Sequence, residues 1–153
     1  FVTRKVVIGL CKIKLKKQKT LFLGNLNAKR DWGHAKDYVE AQWLMLQNKI
    51  PEDFVIATEH QKTVKEFLEA CAKKLEINIS WEGEGVNEKG FNDKGELIVE
   101  ISENYFRKTE VNNLLGDASK AKDKLNWKPK ISFNQLIDEM IEYDLNEAKN
   151  SIR

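Results

Sequence analysis

Residues 23–41, LGNLNAKRDWGHAKDYVEA, pass from a turn into a helix, and this change of pattern decides the fold class. Gly24, Asn25 and Asn27 form a cluster of turn-forming residues. Beyond them, residues recur at helical spacing on one face: Tyr38, Ala41, Gln42, Met45 and Leu46. The sequence therefore predicts a turn that delivers the intervening residues to one edge of a helix.

The segment between the turn and the helix carries Arg30, Asp31 and Trp32. An arginine fork beside an aromatic ring suits an anionic ligand that also contains a ring. Short motifs of this kind are weakly specific. Spacing alone favours the alternative, in which Arg30 and Asp31 are surface charges and Trp32 lies in the core.

The charge balance argues against a nucleic-acid-binding protein. The 153 residues contain 26 Lys plus Arg against 24 Asp plus Glu, so the net charge is only +2. A nucleic-acid binder concentrates its cations on one face or stripe. The local exception is the lysine-rich segment 12–19, which we interpret as the solvated C-terminal end of a helix. A phosphate-binding patch is the alternative interpretation.

The two cysteines, Cys11 and Cys71, each stand among apolar residues, and no Cys or His cluster has zinc-ligand spacing. We therefore expect buried free thiols, no metal site and a reducing compartment, the cytoplasm. No apolar run approaches the ~20 residues that a membrane span needs, so we expect no membrane partner. The chain begins inside an amphipathic pattern, FVTRKVVIGL, which we interpret as part of a longer protein.

Predicted helices and strands alternate along the chain, which is typical of an α/β domain. Helices are predicted at residues 1–17, beyond residue 33, at 64–75, at 118–125 and in a last segment whose apolar stripe faces the core. Strands are predicted at residues 20–23, 77–81 and 97–101. Capping boxes are predicted at Thr63 with Glu66 and at Ser132 with Gln135, and Asp117 is expected to cap the helix at 118–125.

Two further segments have less regular patterns. Residues 53–58, DFVIAT, form a continuous apolar run, which predicts a buried parallel strand. Residues 82–95 contain four glycines among charged residues, which predicts a mobile loop that folds over a ligand. The spacing of these glycines does not match the G-x-G-x-x-G fingerprint of a dinucleotide-binding turn.

Four motifs in order closely resemble the C-terminal half of the GDP-mannose 4,6-dehydratases, a family of extended short-chain dehydrogenases. They are GNLNAKRDWGHAKDYVEAQWLMLQ, PEDFVIAT, YFRKTEV and LLGDASKAKDKLNWKPK. The resemblance implies the last strands and helices of a Rossmann-type sheet together with the small α/β substrate-binding lobe. It assigns residues 1–62 to the crossover helix, the nucleotide-site turn and the final Rossmann strand, and residues 63–153 mainly to the lobe.

The resemblance implies an enzyme that uses NADP to convert GDP-mannose to GDP-4-dehydro-6-deoxymannose, a precursor of GDP-fucose and other deoxyhexoses. It also implies a homo-oligomer. The family's catalytic Tyr-x-x-x-Lys pair and its glycine-rich NADP turn belong to the N-terminal half. None of Tyr38, Tyr105 and Tyr143 has a lysine four residues later. We therefore expect no catalytic or NADP-fingerprint residue in this chain and no turnover by the chain alone.

The same resemblance assigns this chain the nucleotide end of the substrate site. Three cations match the family's diphosphate-contacting positions: Lys5, Arg30 and Arg107. Glu110 matches the carboxylate that accepts hydrogen bonds from the ribose hydroxyls, and Leu23 and Asn25 fall where backbone groups help to hold the base. The alternatives are a surface charge on a helix for Lys5 and a local salt bridge between Arg107 and Glu110, worth ~0–1 kcal/mol.

Two positions depart from the family pattern: Lys108 replaces a proline and Glu59 replaces a glycine. The first change makes the segment that carries Arg107 less rigid. The second strains its turn if the glycine has a positive φ. The competing functions are a non-catalytic GDP-sugar-binding module and another sugar-nucleotide epimerase or dehydratase. A third, based only on the basic segment 1–19, is a structural or interaction protein.

Overall fold

The computed structural model describes residues 1–107, 111 and 113–150, and this part of the chain contains both helices and strands. The helices are α1 (Val2–Lys14), α2 (Ala35–Leu46), α3 (Val64–Lys74), α4 (Ser119–Leu125) and α5 (Phe133–Asn150). The strands are β1 (Leu21–Leu23), β2 (Lys29–Asp31), β3 (Gln61–Thr63), β4 (Ser80–Glu82), β5 (Lys89–Phe91) and β6 (Leu97–Ile101). The predicted α/β class is confirmed.

Four strands form one mixed sheet in the order β1-β6-β5-β4. Strands β1 and β6 are parallel, with Leu21 opposite Val99, whereas β5 is antiparallel to both β4 and β6. Strands β2 and β3 form a separate antiparallel pair. Because β1 and β6 run in the same direction, the segments that follow them leave the sheet at the same edge. The division of the chain at residue 62 stays a prediction.

The main core lies between the sheet and helices α1, α3 and α5. Its fully buried side chains include Leu10 from α1, Phe67 and Leu68 from α3, and Ile137 from α5. The predicted apolar stripe of the last helix therefore faces the core. This helix also carries a buried carboxylate, Asp144, and burial raises its pKa. The Arg4 guanidinium on α1, 3.6 Å from the carboxylate, partly offsets this rise.

A smaller core joins α2 to α4 and to the link before α5. It consists of Ala41, Ala57, Ala118, Ala121, Leu125 and Trp127. Asp37 on α2 fastens this link, because its carboxylate accepts hydrogen bonds from the backbone of Lys130 and Ile131, both at 3.0 Å, and its carbonyl accepts one from the Trp127 indole at 2.9 Å. Of the predicted α2 stripe, Ala41 is fully buried, but Leu46 is 82% exposed.

The two predicted capping boxes are confirmed, whereas the N-cap of α4 is Ala118 and not Asp117. The Thr63 hydroxyl accepts from the Glu66 amide at 3.0 Å, and the Glu66 carboxylate accepts from the Thr63 amide at 2.7 Å. Ser132 and Gln135 make the same reciprocal pair at 3.3 and 2.8 Å. Asp117 accepts from the first amide of α4 at 2.9 Å. Each box satisfies two donors that a helix start would leave unpaired.

The predicted buried strand at residues 53–58 is wrong. Within the described ranges this segment forms no strand, and Val55 is 53% exposed whereas Ala57 is buried. Its final amide, that of Thr58, is bound by the side chain of Asp31 and not by a neighbouring strand. An apolar run indicates that a segment can be buried, but it does not supply the partner that a strand needs.

The predicted mobile loop at residues 82–95 is also wrong. The segment forms most of the β4–β5 hairpin, with a short 3-10 turn, Gly85–Asn87, between the strands. Gly90 lies within β5, where a Cβ atom would be 3.0 Å from the Ile79 side chain, so close packing and not mobility explains this glycine. Strand β4 begins at Ser80 and is shorter at its start than the predicted strand at 77–81.

Candidate functional site

A surface cavity of about 510 Å³ lies beside the carboxyl ends of the parallel strands β1 and β6. Its walls come from the turn after β1, the segment after β6, the hairpin tip and the chain near β2. The lining residues are Asn25, Leu26, Asn27, Lys29, Gly85, Phe106 and Asn113. The carboxyl end of parallel strands is where open α/β sheets bind their ligands.

The turn after β1 is shaped by its polar residues and by contact with the neighbouring segment. The Asn25 side chain accepts a hydrogen bond from the Asn27 amide at 2.9 Å, which closes an Asx turn. Gly24 lies so close to the segment after β6 that an added Cβ would be 2.2 Å from the Tyr105 carbonyl oxygen. A glycine at this position therefore lets the two walls of the cavity approach each other.

Of the two site residues predicted in β1 and its turn, one belongs to the lining of this cavity. Asn25 lines it directly. Leu23 is buried at the end of β1, and its carbonyl accepts a hydrogen bond from the Ser102 amide at 2.8 Å. The Leu23 carbonyl thus extends the β1–β6 pairing. A carbonyl oxygen has two lone pairs, so a ligand donor would bind to the second one.

Arg30 reaches from β2 to the segment after β6. One guanidinium nitrogen donates to the carbonyls of Lys29 and Val111, both at 2.7 Å. Arg107 is exposed and directly follows Phe106, which lines the cavity, just as Arg30 directly follows Lys29. Both predicted arginines thus adjoin cavity-lining residues in the chain. Glu110, predicted at the ribose, lies outside the described residues, as does Lys108.

Lys5 lies apart from the cavity-lining residues. Its ammonium group is 3.2 Å from the centre of the Tyr105 ring, and both side chains line a second, smaller cavity of about 400 Å³ beside α1. A cation over an aromatic face is a favourable contact in itself. Tyr105 precedes Phe106, so Lys5 packs against the segment that forms one wall of the larger cavity.

Trp32 and Asp31 have structural contacts. Trp32 packs against Phe67 and Phe133, with ring centres 5.0 and 6.3 Å away, which agrees with the interpretation of this residue as core. Asp31 is more than a surface charge, because its carboxylate accepts hydrogen bonds from the amides of Thr58 and Glu59 at 2.9 Å. The surface-charge alternative is therefore wrong for Asp31.

Glu59 has a φ of +62°. This is the left-handed conformation that favours glycine, so the strain expected at this departure from the family pattern is present. The Glu59 side chain accepts a hydrogen bond from the Ala118 amide at 3.0 Å, next to the start of α4. The glutamate thus adds a contact that a glycine lacks.

Several contributors to the cavity were not predicted from the sequence. Lys29, Gly85, Phe106 and Asn113 line it without belonging to the predicted site. Gly85 was assigned to a loop, and nothing in its local pattern indicates that a hairpin brings it to the turn after β1. Asn113 is held by a hydrogen bond from the Gln61 side chain at 2.5 Å. Such long-range contacts leave no local signal.

Ionisable groups elsewhere have shifted pKa values with clear causes. Burial raises the pKa of the Cys11 thiol to about 11 and that of the Cys71 thiol to about 12. Both are buried free thiols, as predicted. A hydrogen bond from Lys36 lowers the pKa of Glu139, which also lies 3.2 Å from the buried His34 ring. His34 caps α2 by accepting the Lys36 amide through Nδ1.

Two negative findings concern the described part of the chain. No group of three or more His, Cys, Asp or Glu side chains is arranged there to hold a metal ion. None of the helices found there combines the length and the apolar character required to cross a membrane.

Comparison with known proteins identifies the family. The family model described as GDP-mannose 4,6 dehydratase matches residues 1–140. The chain belongs to the GDP-mannose 4,6-dehydratase family. It is 50% identical to the GDP-mannose 4,6 dehydratase of Dictyostelium discoideum over 98% of its own length, and 51% identical to that of Homo sapiens over 95%. It spans 42% and 39% of the lengths of these relatives.

Solved structures show the same fold at lower identity. The RMD protein of Pseudomonas aeruginosa, complexed with NADPH, matches 96% of this chain with a TM-score of 0.74 and 17% identity. A dTDP-glucose 4,6-dehydratase of Bacillus anthracis in complex with NAD matches 95% with a TM-score of 0.67 and 22% identity. The chain covers 43% and 39% of these two structures. The predicted extended short-chain dehydrogenase fold of this family member is thereby confirmed.

Proposed function

We propose that this chain is the GDP-sugar-binding part of a GDP-mannose 4,6-dehydratase. The intact enzyme would use NADP to convert GDP-mannose to GDP-4-dehydro-6-deoxymannose. The observation that carries the proposal is the cavity at the carboxyl ends of β1 and β6, since parts of the predicted nucleotide site adjoin it. The family membership supports GDP-mannose as the sugar nucleotide.

The charge and shape of the cavity support a nucleotide diphosphate as its ligand. Lys29 lines it, and Arg30 and Arg107 are the next residues in the chain after two lining residues. Arginine forks are well suited to bind phosphoryl oxygens through paired hydrogen bonds. In this proposal the two arginines bind the diphosphate, and Lys5 assists through the segment at Tyr105, over whose ring it lies.

The remaining roles follow the polarity of the lining groups. We assign the base to the Leu23 and Asn25 end, where amide and carbonyl groups of the turn can pair with a purine edge. Glu110 is proposed to accept hydrogen bonds from the ribose hydroxyls. This chain would thus bind and orient the nucleotide, while proton and hydride transfer would use groups outside it.

The described residues do not fit an NADP phosphate turn. Such a turn joins a strand to a helix through closely spaced glycines, whereas Gly83, Gly85 and Gly90 belong to the β4–β5 hairpin. NADP, when bound, would supply the hydride acceptor, and another part of the enzyme would hold it. We also propose that the intact enzyme is a cytoplasmic homo-oligomer. The buried free thiols are compatible with a reducing compartment.

A direct binding experiment tests the nucleotide assignment. Titration calorimetry of the 153-residue chain with GDP, UDP and dTDP should give the highest affinity for GDP. As a control, the Lys49→Ala variant, which lacks an exposed cation in the loop after α2, should bind the three nucleotides with the same affinities as the parent chain. Equal affinity for all three nucleotides, or a preference for UDP or dTDP, would favour another sugar-nucleotide enzyme.

An exchange experiment tests the reaction. Residues 1–153 would replace the matching segment of the Dictyostelium discoideum relative, and the hybrid would be incubated with GDP-mannose and NADP. The expected product is GDP-mannose minus one water, detected by mass, with no turnover by the 153-residue chain alone. A folded hybrid that binds GDP-mannose and NADP without forming this product would favour the non-catalytic binding module.

A further inference from the structure

The tip of the β4–β5 hairpin forms one wall of the cavity, and its shape depends on two glycines. Gly83 has a φ of +76°, and a Cβ atom there would lie 2.4 Å from the Asn87 carbonyl oxygen. Gly85, with a φ of +58°, lines the cavity itself. The tip therefore folds back tightly on itself and presents backbone, and no side chain of Gly85, to the cavity.

Lys65, near the start of α3, connects this tip to the turn after β1, which also lines the cavity. Its amide donates to the Leu26 carbonyl at 2.9 Å, which holds the turn after β1. Its ammonium group lies 2.5 Å from a carboxylate oxygen of Glu88, directly after the 3-10 turn, and 4.3 Å from the centre of the Trp81 ring. One residue therefore fixes both walls through two different groups.

The Lys65–Glu88 ion pair is largely shielded from water. The Glu88 side chain is only 8% exposed and that of Lys65 is 27% exposed. A nearby pair joins Lys62 in β3 to Glu66 in the first turn of α3 at a distance of 3.0 Å, and these side chains are 45% and 44% exposed. Removing one partner of a shielded pair leaves a poorly solvated charge, which an exposed pair does not.

We propose that the Lys65–Glu88 ion pair is a positioning device that holds the hairpin tip as the cavity wall that discriminates the base of the bound nucleotide. The inference rests on the proposed function, because it takes the Leu23 and Asn25 end of the cavity, next to Leu26 in the chain, as the base end. Lys65 holds Leu26 on one side and Glu88 beside the tip on the other. The width of the cavity between them therefore depends on this pair.

The test compares base selectivity with affinity for the diphosphate alone. GDP, UDP and inorganic pyrophosphate are titrated into the full chain and its Glu88→Gln variant, with Lys62→Met as the control at the exposed pair. We expect Glu88→Gln to reduce the preference for GDP over UDP by about fivefold, because the base wall loosens. Pyrophosphate affinity should stay unchanged, and Lys62→Met should keep the full preference.

Two further variants keep the inference open to disproof. The charge exchange Lys65→Glu with Glu88→Lys should restore part of the lost selectivity, because it restores the ion pair with its charges reversed. If Glu88→Gln does not fold, the double variant Lys65→Met with Glu88→Met, which leaves no unpaired charge, should show the same loss. Unchanged selectivity in a folded variant, or equal losses for all three ligands, would overturn the inference alone. A parent chain without GDP preference would overturn the proposed function as well.

Discussion

Thr58 donates two hydrogen bonds to one carboxylate oxygen of Asp31, from its amide at 2.9 Å and from its hydroxyl at 2.5 Å. The second oxygen accepts the Glu59 amide at 2.9 Å. Asp31 ends β2, and Thr58 ends the segment at residues 53–58. This contact fastens a segment that has no strand partner in the described ranges to the elements beside the cavity.

Replacing Asp31 with Asn should destabilise the fold. The amide nitrogen of Asn cannot accept a hydrogen bond, so either Thr58 or Glu59 loses an acceptor and two donors face each other. Hydrogen bonds to charged groups contribute ~1.5–3 kcal/mol, and we expect a loss of this size in the free energy of unfolding measured in urea. Asp123→Asn, on the exposed side of α4, serves as the control. Equal stability of the two variants would contradict the prediction.

At position 59 a glycine variant should be more stable than an alanine variant, which is the reverse of the order found within helices. Its φ of +62° is costly for any residue with a Cβ atom. Both Glu59→Ala and Glu59→Gly lose the bond to the Ala118 amide, but only glycine relieves the strain. We expect Glu59→Gly to be ~0.5–1 kcal/mol more stable than Glu59→Ala. At Lys122, within α4, alanine should be the more stable by ~1 kcal/mol.

Because of the two buried cysteines, the free energy of unfolding should decrease at alkaline pH. Their pKa values rise from the ordinary 9.0 to about 11 for Cys11 and about 12 for Cys71. The folded state therefore holds these protons more tightly than the unfolded state. This contribution to stability is complete below pH 9 and is lost as the pH rises toward 11 and 12.

Urea unfolding at pH 8 and pH 10 measures this effect. The parent chain should lose more stability between these two values than the Cys11→Ala Cys71→Ala variant does. Neither thiol should react with a chromogenic disulfide reagent in the native chain at pH 8, whereas both should react in urea. Rapid labelling of the native chain would show that the thiols are accessible.

Arg30 and Arg107, which follow cavity-lining residues in the chain, should govern ligand affinity. We expect Arg30→Ala or Arg107→Ala to weaken GDP-mannose binding by ~1.5–3 kcal/mol in calorimetry, as for a lost charge-assisted hydrogen bond. Lysine at either position should rescue binding only in part, because an ammonium lacks the planar fork. NADP affinity of the hybrid enzyme should not change. Arginine-to-alanine variants that bind as tightly as the parent would remove both residues from the proposed site.

Gly24 should tolerate no side chain. A Cβ atom would lie 2.2 Å from the Tyr105 backbone oxygen, so Gly24→Ala must push apart the turn after β1 and the segment after β6. We expect a loss of ~1–3 kcal/mol of stability and weaker GDP binding. Gly95→Ala, where no atom lies within 4 Å of the added Cβ, should strain its positive φ but leave GDP binding unchanged.

Helix caps, turns and short strands were predicted well, because the residues that determine them lie within a few positions of each other. The capping box at Thr63 and Glu66 needs only two side chains three positions apart, and both were identified from the sequence. Strand β1, which follows the basic first helix, and the turn after it were likewise predicted from neighbouring residues. Helix α1 ends earlier than predicted, at Lys14, and Lys16 just beyond it has a left-handed φ of +58°, which does not continue a helix.

Features that depend on a distant partner were predicted poorly. The apolar run at residues 53–58 shows the composition of a strand, but its contacts are with the Asp31 side chain and the small alanine core. The glycines of the hairpin resemble those of a loop because their packing partners, such as the Ile79 side chain at Gly90, are set by strand pairing. The predicted site residues came from the family resemblance, and their ligand contacts stay predictions.

The parallel pairing of β1 with β6 has a kinetic consequence. The Thr20 hydroxyl, next to β1, bonds to the Leu97 carbonyl at the start of β6, 77 positions along the chain. Contacts between distant residues form slowly, because a long loop must close before any bond rewards it. The β4–β5–β6 ribbon can form from neighbours, whereas β1 must wait for it. The cavity between the ends of β1 and β6 should therefore appear late in folding, and the recovery of nucleotide binding should lag behind the recovery of helical structure.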